Sequence, residues 1–296
     1  MRHMKTHTND KHANGQLFIV ATPIGNLADI TYRAVETLKS ADLIAAEDTR
    51  VSRRLCEYYG IATPLLACHE HNEEKMAAQL LEAILEGKNI ALISDAGTPL
   101  INDPGYRLVS HLRASGIRVT PIPGACSPIA ALCASGLPTD SFAYDGFLAR
   151  SGKTRKTQIE LIAASTCTRI LLESPHRLLQ TLDDLITVCG DDRQGCVARE
   201  ITKLFETFVC GTLVEIRQTM GIGTIKGEIV LLIGPQTIVH NISDADILNA
   251  INAARVDNLP PSALSKAIAR QLNIPRSRVY DLLLNAGRNR TNQLEH

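Results

Sequence analysis

Short apolar segments alternate with segments of helical spacing through the first 140 residues, and this alternation constrains the fold more than any other feature. The apolar segments end in turn-forming residues and lie at 17–21, 43–46, 90–94 and 119–122. Helical spacing occurs at 30–40, 51–59, 73–86 and 105–115. Parallel strands need crossover helices of this kind, and a sheet covered on both faces has strands that are apolar throughout. The pattern predicts a mostly parallel α/β sheet, with Asp29 as the N-cap of its first helix.

A polar, basic stretch separates this sheet from a second predicted α/β unit. Residues 150–156 contain four basic side chains and no acidic one. Further strands are predicted at 169–173, 197–199, 205–209 and 227–233, with a helix at 178–188.

The last segment has a different character. Three helices are predicted at 243–254, 262–272 and 276–284, and residues 255–290 carry seven basic side chains against two acidic ones. We therefore predict a disordered arm at 1–15, α/β domains at 16–140 and 141–240, and a basic helical domain at 241–293. Residues 294–296 are interpreted as a vector-derived remnant.

The composition narrows the class of protein. The chain has 31 basic and 31 acidic side chains, so a nucleic-acid partner would be signalled by local charge alone. Eight cysteines occur without a C-x-x-C pair, which favours reduced, buried thiols. No apolar run approaches the roughly 18 residues of a membrane helix, and the polar N-terminus does not match a secretory signal. We expect a cytoplasmic protein with no membrane partner.

Three turn-rich loops follow predicted strands at their carboxyl ends, where open α/β sheets bind ligands. They are Thr22–Asn26, Ser94–Pro99 and Pro123–Ser127, and a further Asp-Pro-Gly turn lies at 103–105. Each loop alone could be a simple turn, but three at one sheet edge favour a ligand cleft. No dinucleotide fingerprint, P-loop or G-x-S-x-G elbow is present. His69 and His71 could bind a metal, although a polar cleft wall fits them better, and we predict no metal site.

The segment 265–284 has the length of a helix-turn-helix. Many small helical bundles share this pattern without binding nucleic acid, so both interpretations stay open. The residues alone therefore predict a two-domain α/β ligand-binding protein with a basic helical tail.

Longer motifs resemble a known family. They are LFIVATPIGNLADITYRAVETLKSADLIAAEDTR at 17–50, ALISDAGTPLINDPGYRLV at 91–109, VTPIPGACSPIAAL at 119–132, ESPHRL at 173–178, ARE-TK at 198–203 and GEIVLLI at 227–233. These closely resemble the ribosomal RNA small subunit methyltransferase I family of the tetrapyrrole methylase class. Tetrapyrrole-modifying members usually carry a glycine-rich first loop and a Gly-Asp-Pro motif. The corresponding residues here are Thr-Pro-Ile-Gly-Asn and Ser-Asp-Ala-Gly-Thr-Pro, which favours the RNA branch.

The resemblance implies two α/β domains with S-adenosyl-L-methionine in the cleft between them. It further implies 2′-O-methylation of a cytidine ribose in the decoding region of 16S rRNA within the small ribosomal subunit, and a homodimer. By the same resemblance, the cofactor-binding residues are Pro23, Gly25, Asp95, Ala96, Gly97, Thr98, Cys126, Ser127, Glu173, Arg199 and Ile229.

Transfer of a methyl group to a ribose hydroxyl calls for a base, because the hydroxyl is a poor nucleophile. The candidates are Glu47, Asp48 and Asp103, with Asp95 nearby, while Arg50 could hold the adjoining phosphate. Alternatively, Glu47 and Arg50 form an ion pair with each other. The predicted RNA-binding residues besides Arg50 are Arg150, Lys153, Arg155, Lys156, Lys266, Arg270, Arg276 and Arg278.

Two other functions stay open. The chain could methylate a tetrapyrrole small molecule, which would explain the cleft but not the basic tail. It could also be a non-catalytic RNA-binding module, which would leave the three sheet-edge loops without a role.

Overall fold

The first sheet is parallel throughout, as the apolar segments predict. A computed structural model describes residues 15–236, 243–254, 260–272 and 274–291. The strand order is β3-β2-β4-β1-β5, and every pairing is parallel. The strands are β1 Leu17–Val20, β2 Leu43–Ala46, β3 Leu65–Ala67, β4 Ile90–Ile93 and β5 Val119–Ile122. The short edge strand β3 is the one that the sequence pattern does not predict.

Helices cover both faces of this sheet. They are α1 Tyr32–Ser40, α2 Thr49–Tyr59, α3 Glu73–Leu85 and α4 Tyr106–Ala114. Successive side chains of a strand point to opposite faces. Accordingly, Ile90 and Leu92 pack with Leu80 of α3 and Leu108 of α4. Ala91 and Ile93 pack on the other face, among side chains from α1 and α2.

The predicted N-cap of α1 is wrong by two residues. The Thr31 hydroxyl accepts a hydrogen bond from the Ala34 backbone N–H at 3.1 Å, so Thr31 caps the helix. Asp29 instead lies in a 3₁₀ turn, Leu27–Asp29, whose own cap is the Asn26 side chain. The Asp29 carboxylate accepts a hydrogen bond from the Thr202 hydroxyl, which joins this turn to the second half of the molecule.

The second sheet is mixed, with order β6-β7-β10-β8-β9. Its strands are β6 Phe142–Phe147, β7 Thr168–Glu173, β8 Gln194–Arg199, β9 Thr207–Thr212 and β10 Ile229–Ile233. Only β6 and β7 are parallel; the other pairs are antiparallel. Strand β10 lies at the centre and is buried along its whole length, which explains its uniformly apolar sequence.

Four helices pack on this sheet: α5 Ser127–Ala134, α6 Gly152–Ala163, α7 Leu178–Cys189 and α8 Leu213–Met220. Ala131 and Leu132 of α5 pack against one face, and α6, α7 and α8 cover the other. Helix α5 thus belongs to the core of the second sheet, although it precedes the domain boundary predicted at residue 140. The basic stretch 150–156, predicted as a linker, is mostly the first half of α6.

The C-terminal helices form a compact unit of their own. They are α9 Asp244–Ala254, α10 Pro261–Leu272 and α11 Arg276–Thr291. Ile251, Ile268 and Val279, one from each helix, belong to its buried apolar core. The predicted arm up to residue 14 and the remnant at 294–296 lie outside the described residues. Within the described part of the chain, no helix has both the length and the apolar character needed to cross a membrane.

Candidate functional site

The three predicted loops meet at the carboxyl ends of β1, β4 and β5. Thr22 and Gly97 exchange two backbone hydrogen bonds, of 2.8 and 3.1 Å. The Thr22 hydroxyl also donates to the Ser94 carbonyl, and the Thr98 hydroxyl donates to the Ala125 carbonyl at 3.0 Å. The loops therefore form one connected edge, facing the second sheet.

Gly97 is required by this arrangement. Its φ of +82° lies in the left-handed region, and a Cβ atom added there would come 3.1 Å from Cγ2 of Ile24. Any side chain at this position would strain the backbone and displace Ile24, which lines both of the cavities described next.

Two adjoining cavities lie at this edge. The larger, which we call the central cavity, has a volume of about 410 Å³, within the range typical of small-molecule sites. It is lined from both halves of the molecule by Ile24, Ala96, Ile101, Asn102, Asp103, Ser127, Phe147, Leu172, Glu173, Ser174, Pro175, Ile201, Gly227, Glu228, Ile229 and Val230.

The second, which we call the side cavity, has a volume of about 380 Å³. It is lined by Thr22, Pro23, Ile24, Gly25, Leu27, Val51, Ser52, Arg54, Leu55, Ser94, Asp95, Ala96, Lys203 and Glu228. Ile24, Ala96 and Glu228 line both cavities, so the two spaces share a wall.

Backbone strain is concentrated beside these cavities. Among the described residues, the non-glycine residues with positive φ are Leu100, Asn102, Glu200 and Thr202, with values between 52° and 71°. The first two flank Ile101 and the last two flank Ile201, and both isoleucines line the central cavity. Such conformations cost roughly 1–3 kcal/mol each and cluster at functional sites. The strain supports a functional role for the central cavity.

Three carboxylates, those of Glu47, Asp95 and Asp103, lie near one another in the loops that follow β2 and β4. Burial, reinforced by the charges of Asp103 and Asp95, raises the pKa of Glu47. Burial likewise raises the pKa of Asp95, whose carboxylate accepts the Asp48 backbone N–H at 3.0 Å. The pKa of Asp103 is raised by burial and by Asp95, despite a hydrogen bond with the Ser94 hydroxyl. The predicted bases are Glu47, Asp48 and Asp103, and of these only Asp103 lines the central cavity.

Asp48 has a different role from the one predicted. Its carboxylate accepts the Arg50 backbone N–H at the start of α2 and forms an ion pair with the Arg50 guanidinium at 2.6 Å. These hydrogen bonds lower the pKa of Asp48 to about 2, which makes it a weak proton acceptor. Arg50 therefore pairs with Asp48, and the alternative pairing with Glu47 is wrong.

The structure separates the predicted cofactor residues into distinct groups. Ala96, Ser127, Glu173 and Ile229 line the central cavity, and Pro23, Gly25, Asp95 and again Ala96 line the side cavity. Gly97 and Thr98 form hydrogen bonds to the other two loops. Cys126 and Arg199 line neither cavity.

The side chains of Glu173 and Arg199 have structural partners. The Glu173 carboxylate is fully buried and accepts hydrogen bonds from the Thr181 hydroxyl at 2.6 Å and the Ser174 N–H at 2.7 Å. Arg199 donates to the Thr207 hydroxyl and the Lys226 carbonyl. The Glu173 carboxylate is thus held by hydrogen bonds within the second half, and its contact with the cofactor stays a prediction.

Sequence reasoning missed several cavity residues. Ile101, Asn102, Phe147, Leu172 and Ile201 line the central cavity, and none of them is among the residues predicted to bind the cofactor. The motifs around Ile101 and Ile201 carried the only available signal, since both belong to blocks that resemble the family.

One predicted RNA-binding residue is buried. The Arg155 guanidinium donates to the Asp184 carboxylate at 2.7 Å and to the Thr181 hydroxyl at 3.0 Å, and its side chain is only 8% exposed. Arg155 is therefore a structural arginine of the α6–α7 contact, and its predicted contact with RNA is wrong. Arg150, Lys153 and Lys156 are exposed around it.

The four predicted RNA-binding side chains of the C-terminal unit are exposed, but two of them also bind neighbouring helices. Lys266 and Arg270 lie on the outer face of α10. Arg276 donates to the Ser262 carbonyl at 3.1 Å, and Arg278 forms an ion pair with Asp244 at 2.6 Å. Arg276 thus links α11 to α10, and Arg278 links α11 to α9.

Comparison with known proteins agrees with this fold and these motifs. A profile of the family described as Tetrapyrrole (Corrin/Porphyrin) Methylases matches residues 16–217. The structure of uroporphyrin-III C-methyltransferase from Thermus thermophilus, complexed with S-adenyl homocysteine, superposes with a TM-score of 0.53 at 19% identity. That match covers 74% of this chain and 97% of the other, and it shows a shared fold. The class is therefore that of the tetrapyrrole methylases.

Sequence relatives define the family more narrowly. The chain is 44% identical over 283 residues to the ribosomal RNA small subunit methyltransferase I of Escherichia coli O157:H7, a match that covers 95% of this chain and 99% of that protein. The protein of the same name from Haemophilus influenzae is 52% identical over 221 residues, covering 74% and 78% of the two chains. The chain belongs to the ribosomal RNA small subunit methyltransferase I family.

Proposed function

We propose that this protein transfers a methyl group from S-adenosyl-L-methionine to the 2′ oxygen of a cytidine ribose in the decoding region of 16S rRNA. The main support is the match along nearly the whole chain to relatives named as small-subunit rRNA methyltransferases. The carboxylates beside the central cavity suit an oxygen nucleophile, which needs a proton acceptor. Homodimer formation stays a prediction from the family resemblance.

The central cavity fits the cofactor. Its walls combine apolar side chains, such as Ile101 and Ile229, with the exposed backbone of the Ala96 turn. That mixture suits a ligand with an aromatic base, a ribose and an amino-acid end. Ala96, Ile101, Ser127 and Ile229 would hold it. When bound, S-adenosyl-L-methionine supplies a methyl group on a sulfonium sulfur, which is already electrophilic.

Asp103 is the proposed proton acceptor for the ribose hydroxyl. It lines the central cavity, and its raised pKa brings it closer to the pH at which a base works best. Glu47 shares the raised pKa but lines neither cavity, so we assign it the supporting role of keeping negative charge beside Asp103. No metal is needed for this chemistry.

RNA contact is proposed for the exposed cations around α6 and on the C-terminal unit. Arg150, Lys153 and Lys156 are available to phosphates, as are Lys266 and Arg270. Contacts of this kind supply affinity without sequence information. Arg50, although paired with Asp48, is 88% exposed and can add a phosphate contact.

A methyl-transfer assay tests the proposal. Purified protein and labelled cofactor are incubated with small ribosomal subunits from cells that lack this protein, and in parallel with a free precorrin. We expect label in the rRNA, at a 2′-O-methylated cytidine identified by mass spectrometry of nuclease fragments. Label in the precorrin alone would favour the tetrapyrrole alternative, and label in neither would favour a non-catalytic RNA-binding module.

A further inference from the structure

The side cavity contains a buried polar group without a protein partner. Ser52, in the first turn of α2, is one of the residues that line the cavity; it is 2% exposed, and its hydroxyl oxygen is buried. Its oxygen has no hydrogen-bond partner among the described residues. A buried hydroxyl left unpaired costs free energy, and such groups in native proteins call for an explanation. A ligand in the side cavity would give this hydroxyl a partner.

The walls around Ser52 suit a flat ring. Ile24, Leu27, Val51 and Leu55 provide apolar surface from the loop after β1 and from α2. The Thr22 and Ser94 hydroxyls, which also line the cavity, already donate to backbone carbonyls, so the Ser52 hydroxyl is the one left without a partner. Apolar walls with one unpartnered hydroxyl favour a small heteroaromatic ligand, which is held by its faces and recognised at its polar edge.

The charged residues that line the cavity are Arg54, Lys203, Asp95 and Glu228, and one of the two cations is available to a phosphate outside the ring. Arg54 lines the cavity, is exposed, and forms no ion pair with any residue that the structure describes. Lys203, by contrast, is held between Glu200 at 2.9 Å and Glu228 at 3.2 Å. The Arg54 guanidinium is therefore the available anion-binding group, and its planar fork matches phosphate.

We infer that the side cavity binds the nucleobase of the target nucleotide, with Ser52 hydrogen-bonded to the edge of the base and Arg54 bound to an adjoining phosphate. This inference rests on the proposed function. Ile24 and Ala96 line both cavities. With the base in the side cavity, the ribose of the same nucleotide would lie beside these two residues, next to the central cavity. A base inside this cavity cannot stay stacked, so the target nucleotide is turned out of its helix.

Matched variants on α2 test the inference. Ser52→Ala removes the hydroxyl, Arg54→Gln removes the cation, and Arg53→Gln is the control, since Arg53 is an exposed neighbour that does not line the cavity. With small subunits as substrate, we expect the KM to rise about 5-fold for Ser52→Ala, the size of one hydrogen bond, and more for Arg54→Gln. Arg53→Gln should stay within about 2-fold of wild type. Cofactor affinity, measured by calorimetry, should be unchanged in all three.

A structural role for Ser52 predicts the opposite pattern. Removing an unpaired buried hydroxyl would then raise the melting temperature and leave the KM at the wild-type value. Unchanged KM values for Ser52→Ala and Arg54→Gln, with an active wild type, would overturn the nucleobase site alone, whereas an inactive wild type would refute the proposed function.

Direct binding gives a readout that does not depend on methyl transfer. We expect wild type to bind cytidine 5′-monophosphate more tightly than ribose 5-phosphate in ligand-observed NMR, and Ser52→Ala to reduce that difference. Equal affinity of the wild type for the two probes would also overturn the nucleobase site.

Discussion

Replacing Arg155 by Met should destabilise the protein and leave RNA binding intact. The guanidinium makes two hydrogen bonds to the Asp184 carboxylate, at 2.7 and 2.9 Å, and others to the Thr181 hydroxyl and the Ala149 carbonyl. The Arg155 side chain is 8% exposed, whereas that of Asp184 is 35% exposed. Methionine fills a similar space but leaves these acceptors without their donor.

The magnitude follows from this difference in exposure. Removing one partner of a fully buried ion pair costs about 3–5 kcal/mol. Because water can reach the Asp184 carboxylate, we expect a smaller loss than for a fully buried pair, about 2–3 kcal/mol. In a unit of this size, 1 kcal/mol corresponds to a shift of roughly 2–4 °C in melting temperature. The expected fall for Arg155→Met is therefore about 4–12 °C.

Thermal melts, together with small-subunit binding below the melting temperature, check this prediction. Lys156→Met is the matched control: Lys156 is the next residue, is 80% exposed, and lies 3.9 Å from Glu160 in a surface pair. Its stability should change by less than about 0.5 kcal/mol. If Arg155→Met melts like wild type and loses RNA affinity, Arg155 is an RNA contact after all and the structural assignment fails.

Three further predictions concern the cofactor, the base and the C-terminal unit. Gly97→Leu should abolish cofactor binding, because its Cβ would displace Ile24 and its φ is +82°; unchanged affinity by calorimetry in a folded variant would contradict this. Asp103→Asn should slow single turnover by about 10²–10⁴-fold. The pKa of Asp103 is raised in the folded state, so the stability that its protonated carboxyl contributes is lost as the pH rises through that pKa. The Asn variant should therefore be more stable than wild type at pH 8 but not at pH 4. Equal turnover would exclude Asp103 as the base. Deleting residues 243–296 should weaken small-subunit binding while cofactor affinity persists; a full rate at limiting RNA would show that the tail has another role.

The sequence by itself determined four of the five strands of the first sheet and the position of the loops that follow them. Strands β1, β2 and β4 are apolar because both of their faces are covered, so the pattern can be seen in the sequence alone. The loops that end them follow directly, since parallel strands bring their carboxyl ends to one edge. Strand β6 is not predicted, because Asp145 and Gly146 interrupt its apolar sequence. It is a strand because it pairs with β7.

Only the tertiary structure decided which charged residues are available to bind RNA or to accept a proton. Arg155 and Lys156 are neighbours in one basic run, yet α6 turns Arg155 toward α7 and Lys156 toward solvent. Asp48 and Glu47 are likewise adjacent: one caps α2 and binds Arg50, while the other faces Asp95 and Asp103. Successive residues of a helix or loop point in different directions, and the neighbours of Arg155 and Glu47 lie tens of residues away in the chain. The role of each charge therefore depends on packing that no local pattern records.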